Sequence, residues 1–175
     1  MQPDLNNLKA KIQANRDFID RITVQLPGFK GYVEKSENYD ADRMIREFIS
    51  DKVLSAKKSL NILASDMVKS GEIATIQEID SIQNLLEGLL KKVQYADYGA
   101  AGAFSKIKIT EDDQNRLLEY DWRLISAFDE INGITGKLQS IEGEAFLQEL
   151  KNMKQKIRDF DKSIDDRKYV IMEVI

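Results

Sequence analysis

Four polar residues occupy positions where the helical spacing of the chain calls for apolar ones. Asn15 falls between Ile12 and Ile19, and Asp42 lies three residues before Ile45. Asp121 lies between Leu117 and Leu124, and Arg167 between Ile164 and Ile171. A charge on an apolar seam is costly unless it is paired and hydrogen-bonded, so each of these residues asks for a partner. Two readings compete. In the structural one, polar residues on the seams fix register and helix pairing at some cost in stability. In the functional one, they form a polar pocket or a partner-binding cluster inside or atop the folded chain. The chemistry open to such a pocket is carboxylate chemistry at Asp42 and Asp121, with or without a divalent cation.

The missing residue types narrow the options further. The chain has no histidine and no cysteine. A Ser–His–Asp triad, a cysteine nucleophile, a thiolate zinc site and the Glu-x-x-His di-iron site of helical bundles are therefore excluded. Only a carboxylate site, a serine–lysine pair or a lysine base remains. Gly99-Ala100-Ala101-Gly102 lacks the Gly-Lys-Ser/Thr of a phosphate-binding loop. The acidic runs Glu111-Asp112-Asp113 and Asp159 to Asp166 lack calcium-loop spacing. No cofactor and no metal site is expected. The net charge is −4, and the lysines and arginines are scattered, which argues against nucleic acid as a partner. No stretch approaches the ~20 apolar residues of a bilayer span, and the N-terminus lacks a signal-peptide core. We read the protein as cytoplasmic, with membrane association disfavoured by its acidity.

Helical periodicity runs through nearly all of the 175 residues. The first helix starts after Pro3, carries Leu5, Leu8, Ile12, Ile19, Ile22 and Leu26, and ends at Pro27-Gly28. Phe29 to Glu37 reads as a turn. A second helix spans about Tyr39 to Lys69 with Ile45, Ile49, Val53, Ala56, Leu60, Leu63 and Met67 on its seam. Ser70-Gly71 closes it, and a third helix with Ile76, Ile79, Ile82, Leu86, Leu89 and Val93 folds back as a hairpin. Tyr95 to Phe104 is the main loop. Thr110 caps a fourth helix, with acids in its first turn. That helix weakens at Asn132-Gly133, and Gly136 and Gly143 suggest a flexible connection. A fifth helix carries Phe146, Leu150, Met153, Ile157, Phe160, Ile164 and Ile171, and its tail from Tyr169 to Ile175 is apolar. The fold expected is all-α: one domain over residues 1–175, an elongated antiparallel up-and-down bundle of about five helices.

In that topology the turn after the first helix, the main loop, the start of the second helix and the end of the fifth share one end of the bundle. The residues gathered there are Tyr32, Tyr39, Asp42, Arg46, Tyr95, Asp97, Tyr98, Phe104 and Arg167. Asp121 falls about 15 Å down its helix. Asp42 is therefore the partner expected for Arg167, and direct contact between Asp121 and Arg167 is not expected. Tyrosine and arginine are favoured anchors of interfaces. Aromatics at a bundle end also serve simply to close its core.

Two segments are familiar as a pair. One is Leu26-Pro27-Gly28-Phe29-Lys30-Gly31-Tyr32 followed by Asp42-Arg43 and Arg46. The other is Tyr95 to Phe104, then Leu117 to Asp121 and Leu124-Ile125. Together they resemble a family of uncharacterised prokaryotic all-helical proteins of similar size. The resemblance implies that the two regions belong together and brings no activity, cofactor or catalytic residue with it. The sequence points to a non-enzymatic interaction or scaffold module that uses the aromatic, glycine-rich end. Its partner is a protein, or a second copy that completes the seams as a homodimer. The alternative is a ligand- or divalent-metal-binding protein or enzyme that uses Asp42 and Asp121. Weak membrane binding through the apolar tail ranks third.

Overall fold

Helices built from these seams have one apolar stripe each, and burying all the stripes together dictates a bundle. The structure, a computed structural model, describes residues 16–34, 38–95 and 110–174. Among these residues there are six helices and no strand. They are α1 (residues 16–25), α2 (Phe29–Glu34), α3 (Asn38–Ser70), α4 (Ile73–Tyr95), α5 (Glu111–Leu138) and α6 (Gly143–Val174). The seam residues are the core: Ile45, Ile49, Val53, Ala56 and Leu60 of α3 are at most 1 % exposed, as are Leu150, Met153 and Ile157 of α6. Phe128 and Phe160 meet edge to face at 5.0 Å in its middle.

The ends follow local chemistry. The α3–α4 turn is a Schellman closure: Glu72 N–H donates to Met67 C=O (3.2 Å) and Gly71 N–H to Val68 C=O (3.3 Å), with Gly71 at φ 76°. Thr110 caps α5, its Oγ accepting from Asp113 N–H at 3.3 Å.

Side-chain pairs between helices fix the topology. Lys57–Glu87 and Asn61–Gln83 join α3 and α4 with opposite directions. Lys156–Glu130 and Lys137–Glu149 do the same for α5 and α6. Asp42 and Lys52 of α3 lie level with Asp121 and Asp129 of α5, which makes those two helices parallel neighbours. Glu78–Lys154 and Lys92–Asp161 make α4 and α6 a second parallel pair. Two antiparallel hairpins thus lie side by side, with α3 and α6 on one diagonal and α4 and α5 on the other.

Against one side of this square lies α1. Arg21 stacks over the half-buried Trp122 ring at 5.9 Å, and Gln25 donates to Asp129 at 3.1 Å. The chain then reverses at Pro27-Gly28 and α2 returns along α3. Ile22, Leu26, Phe29 and Val33 are buried, so α1 and α2 form a strap over the α3/α5 side.

Three expectations are corrected. Residues 29–34 are helix rather than turn, because Phe29 and Val33, four apart, both anchor in the core. The Pro27-Gly28 reversal consequently lies beside the middle of the bundle, near Asp129, and not at its end. Helix α5 runs through Asn132, Gly133 and Gly136 to Leu138, because Ile131, Ile134, Thr135 and Leu138 hold it to the core and outweigh the glycine penalty. Among the described residues, no helix is long and apolar enough to cross a membrane.

Candidate functional site

Three of the polar seam residues meet in one place. Asp42 lies about 6 Å from the start of α3, Asp121 about 15 Å into α5, and Arg167 about 10 Å before the end of α6. The long arginine side chain spans the difference. Its Nε and Nη2 donate to Asp121 Oδ1 (2.6 Å) and Oδ2 (3.1 Å), a planar fork matched to the carboxylate. Its Nη1 donates to Asp42 Oδ1 at 2.5 Å. The other oxygen of Asp42, Oδ2, accepts from Arg46 Nε at 2.8 Å, one helical turn along α3. The expected Asp42–Arg167 pair is present, and the expectation that Asp121 would stay apart is wrong. Helix α6 continues to Val174, so Arg167 is not at its end but seven residues inside, close to the level of Asp121.

The cluster is sealed. Asp42 and Asp121 are 2 % exposed, Arg167 6 % and Arg46 8 %. Two anions and two cations cancel, and no buried side-chain polar atom among the described residues lacks a hydrogen-bond partner. Burial pushes the Asp121 carboxyl above the usual range. Arg167 opposes that rise and the Asp42 charge adds to it. Burial alone would weaken the hold of Arg167 on its proton, but Asp121 and Asp42 together raise it above the ordinary arginine range. The two shifts agree physically: the guanidinium faces two carboxylates, whereas Asp121 has one guanidinium against full desolvation. Next door, the Tyr120 hydroxyl donates to Ser163 C=O at 2.7 Å. Its pKa is raised, first by burial and then by the Asp166 charge.

Such a network is a weak source of net stability, because desolvation consumes most of the Coulomb gain. What it provides is specificity. One arginine ties α3, α5 and α6 at a single height, and sliding any of the three by a turn leaves a buried charge unpaired.

Of the other candidates, Tyr32 lies on α2 and Tyr39 on the first turn of α3. Tyr95 ends α4 and is 64 % exposed. Asp97, Tyr98 and Phe104 lie outside the described residues, as does Asn15. Beside the cluster, a shallow groove of about 330 Å³ between α3 and the end of α4 touches Arg46, Ser50, Leu54 and Gln94. Neither Asp42 nor Asp121 lines it. Among the described residues, no group of three or more acidic side chains is arranged to hold a metal ion. The sequence reading passed over Tyr169 as a candidate. It is 61 % exposed on α6, which runs parallel to α4 and brings it to the same end as Tyr95. Its signal was its place two residues after the seam residue Arg167, which turns it outward. No protein-family model, curated protein or solved structure matches the chain.

Proposed function

We propose that the protein is a non-enzymatic helical interaction or scaffold module that binds a protein partner at the end of the bundle where α4 and α6 finish. One contrast carries this reading. The charged groups that could do chemistry are consumed by one another inside the bundle, while Tyr95 and Tyr169 stand exposed above them. A carboxylate whose oxygens are all engaged by guanidinium groups is poorly placed to take a proton from a substrate or to coordinate a cation. Exposed tyrosines on neighbouring rigid helices offer large apolar faces with polar tips at small entropic cost. The reading includes a cytoplasmic setting and admits a second copy of the chain as the partner.

The test is affinity capture from cell extract with the full chain as bait. It compares wild type, Tyr95→Ala/Tyr169→Ala, and Tyr32→Ala/Tyr98→Ala/Phe104→Ala. A protein recovered by wild type is expected to be lost from Tyr95→Ala/Tyr169→Ala. A partner recovered undiminished by that variant would sink the assignment of this end. Sedimentation equilibrium on the same three proteins reads out the homodimer.

A further inference from the structure

One element of the fold is held differently from the rest. The four long helices bury their seams against one another, and an ion pair ties each neighbouring pair of them: Lys57–Glu87, Lys52–Asp129, Lys156–Glu130 and Lys154–Glu78. The α1–α2 strap lies outside that square and is seated by the buried side chains of Ile22, Leu26, Phe29 and Val33. Its ties to α5 are a neutral amide, Gln25 donating to Asp129 at 3.1 Å, and Arg21 over the Trp122 ring at 5.9 Å. The strap is also a unit in itself. Its two legs turn at Gly28, φ 94°, where Phe29 N–H donates to Leu26 C=O at 3.2 Å and Gly31 N–H to Gly28 C=O at 3.1 Å. Lys30 reaches Asp20 across the turn at 3.8 Å. A hairpin closed by its own bonds moves as one piece.

The face beneath it has one fitting occupant. Trp122, Ile125 and Asp129 stand at i, i+3 and i+7 on one face of α5. Lys52 of α3 reaches the same Asp129, and its ammonium lies 4.6 Å over the Phe48 ring one turn before it. The segment that matches this face in apolar spacing and polar contacts is the strap itself, so any second copy of the chain carries a matching ligand. Only Lys35-Ser36-Glu37, with neither proline nor glycine, joins the strap to α3. Exchange of such an element between copies repeats every contact of the closed form and loses no burial, and a short connection is where exchange competes with closure. We propose that the α3/α5 face is an interface between two copies of this chain, each seating its α1–α2 strap on the other. Concentration sets the balance. A strap on a short tether competes at an effective concentration of about a millimolar, so dilute molecules keep their own strap and concentrated ones exchange it.

Exchange makes no use of Tyr95 or Tyr169, so it and the tyrosine-bearing end stand or fall separately. The chain has no cysteine, which lets thiols be placed singly. Full-length Gln25→Cys and Asp129→Cys chains are mixed, unfolded in urea, refolded together in dilute or about millimolar solution, and joined by a short bis-maleimide. A covalent heterodimer is expected, with a yield that rises about tenfold or more from the dilute to the concentrated mixture. A contact inside one hairpin is the reference: Asn61→Cys and Gln83→Cys chains, whose native side chains meet at 2.7 Å between α3 and α4, are expected to stay single. Gln25→Cys/Asp129→Cys on one chain is expected to cross-link internally in dilute solution, which shows the two thiols within reach. The proposal is overturned if the first mixture yields no more heterodimer than the reference mixture, or if its yield ignores concentration. An internal cross-link that does not form in dilute solution overturns it as well, because the strap is then not seated on this face.

Discussion

Changing Arg167 to methionine isolates the contribution of the buried cluster, since it keeps an unbranched apolar side chain and deletes the guanidinium. Asp121 then loses both of its donors, while Asp42 keeps Arg46. Breaking a buried ion pair from one side costs about 3–5 kcal/mol, because the remaining charge stays desolvated. With a urea slope of about 2–3 kcal/mol per molar, the unfolding midpoint falls by about 1–2.5 M. The loss depends on pH in a defined direction. Burial already raises the Asp121 carboxyl, and without Arg167 nothing opposes it, so its folded pKa moves further above the unfolded value near 3.9. Between those two values the folded state binds more protons than the unfolded one. Stability therefore falls as pH rises, by up to about 1.4 kcal/mol per pH unit. The penalty at pH 5 is expected to be smaller than at pH 7. Urea unfolding followed by circular dichroism at pH 5, 6 and 7 measures it. The double variant Asp121→Leu/Arg167→Met removes the orphan charge and is expected to recover most of the loss. A penalty below about 1 kcal/mol at pH 7, one that ignores pH, or a double variant as damaged as the single would refute the reasoning.

Three other outcomes follow from the same structure. Lys57 holds Glu87, and Lys137 holds Glu149, below the ordinary carboxyl value of 4.5. Their contribution is complete above that value and lost as pH falls through the lowered ones. Glu87→Gln/Glu149→Gln is expected to flatten the acid limb of urea midpoints measured from pH 6 to 3, and parallel limbs would contradict it. Gly28 sits at φ 94°, so Gly28→Ala is expected to destabilise by about 1 kcal/mol or more. Gly133→Ala, at an exposed helical position with open space around it, stabilises by about the same amount, read as opposite shifts in melting temperature. Phe128→Ala removes a fully buried ring packed on Phe160 and is expected to cost about 3–5 kcal/mol in urea unfolding.

Periodicity made the four long helices readable, because a seam such as Ile45, Ile49, Val53, Ala56 and Leu60 admits no other regular structure. Thr110 and Gly71 marked ends for equally local reasons. Polar residues on those seams pointed to the buried cluster, because charges there need partners. Reading failed where tertiary contacts overrode local preference. Gly133 and Gly136 look like a break until the core positions around them are known to be filled. Phe29 and Val33 look like loop until both are seen to be anchored. The Asp121–Arg167 contact was missed because a residue's height in a bundle is known only once both helix ends are known. The seven helical residues that follow Arg167 in α6 amount to about 10 Å. The groove and the strap are relations between helices that no single stretch of sequence encodes.

The side-by-side hairpins also bear on the order in which the chain folds. Contacts within each hairpin join residues such as Asn61 and Gln83, 22 apart in sequence, or Lys156 and Glu130, 26 apart. The link from Arg167 to Asp42 closes a separation of 125 residues. Loop closure favours the near contacts first, so each hairpin assembles as a local unit and the arginine contact forms after the two have docked. An interaction absent from the transition state leaves the folding rate alone and governs the rate of escape. The Arg167 substitution should therefore steepen unfolding kinetics while refolding proceeds at nearly its original speed. The arginine then acts less as a builder of the bundle than as the bolt that sets its lifetime once closed.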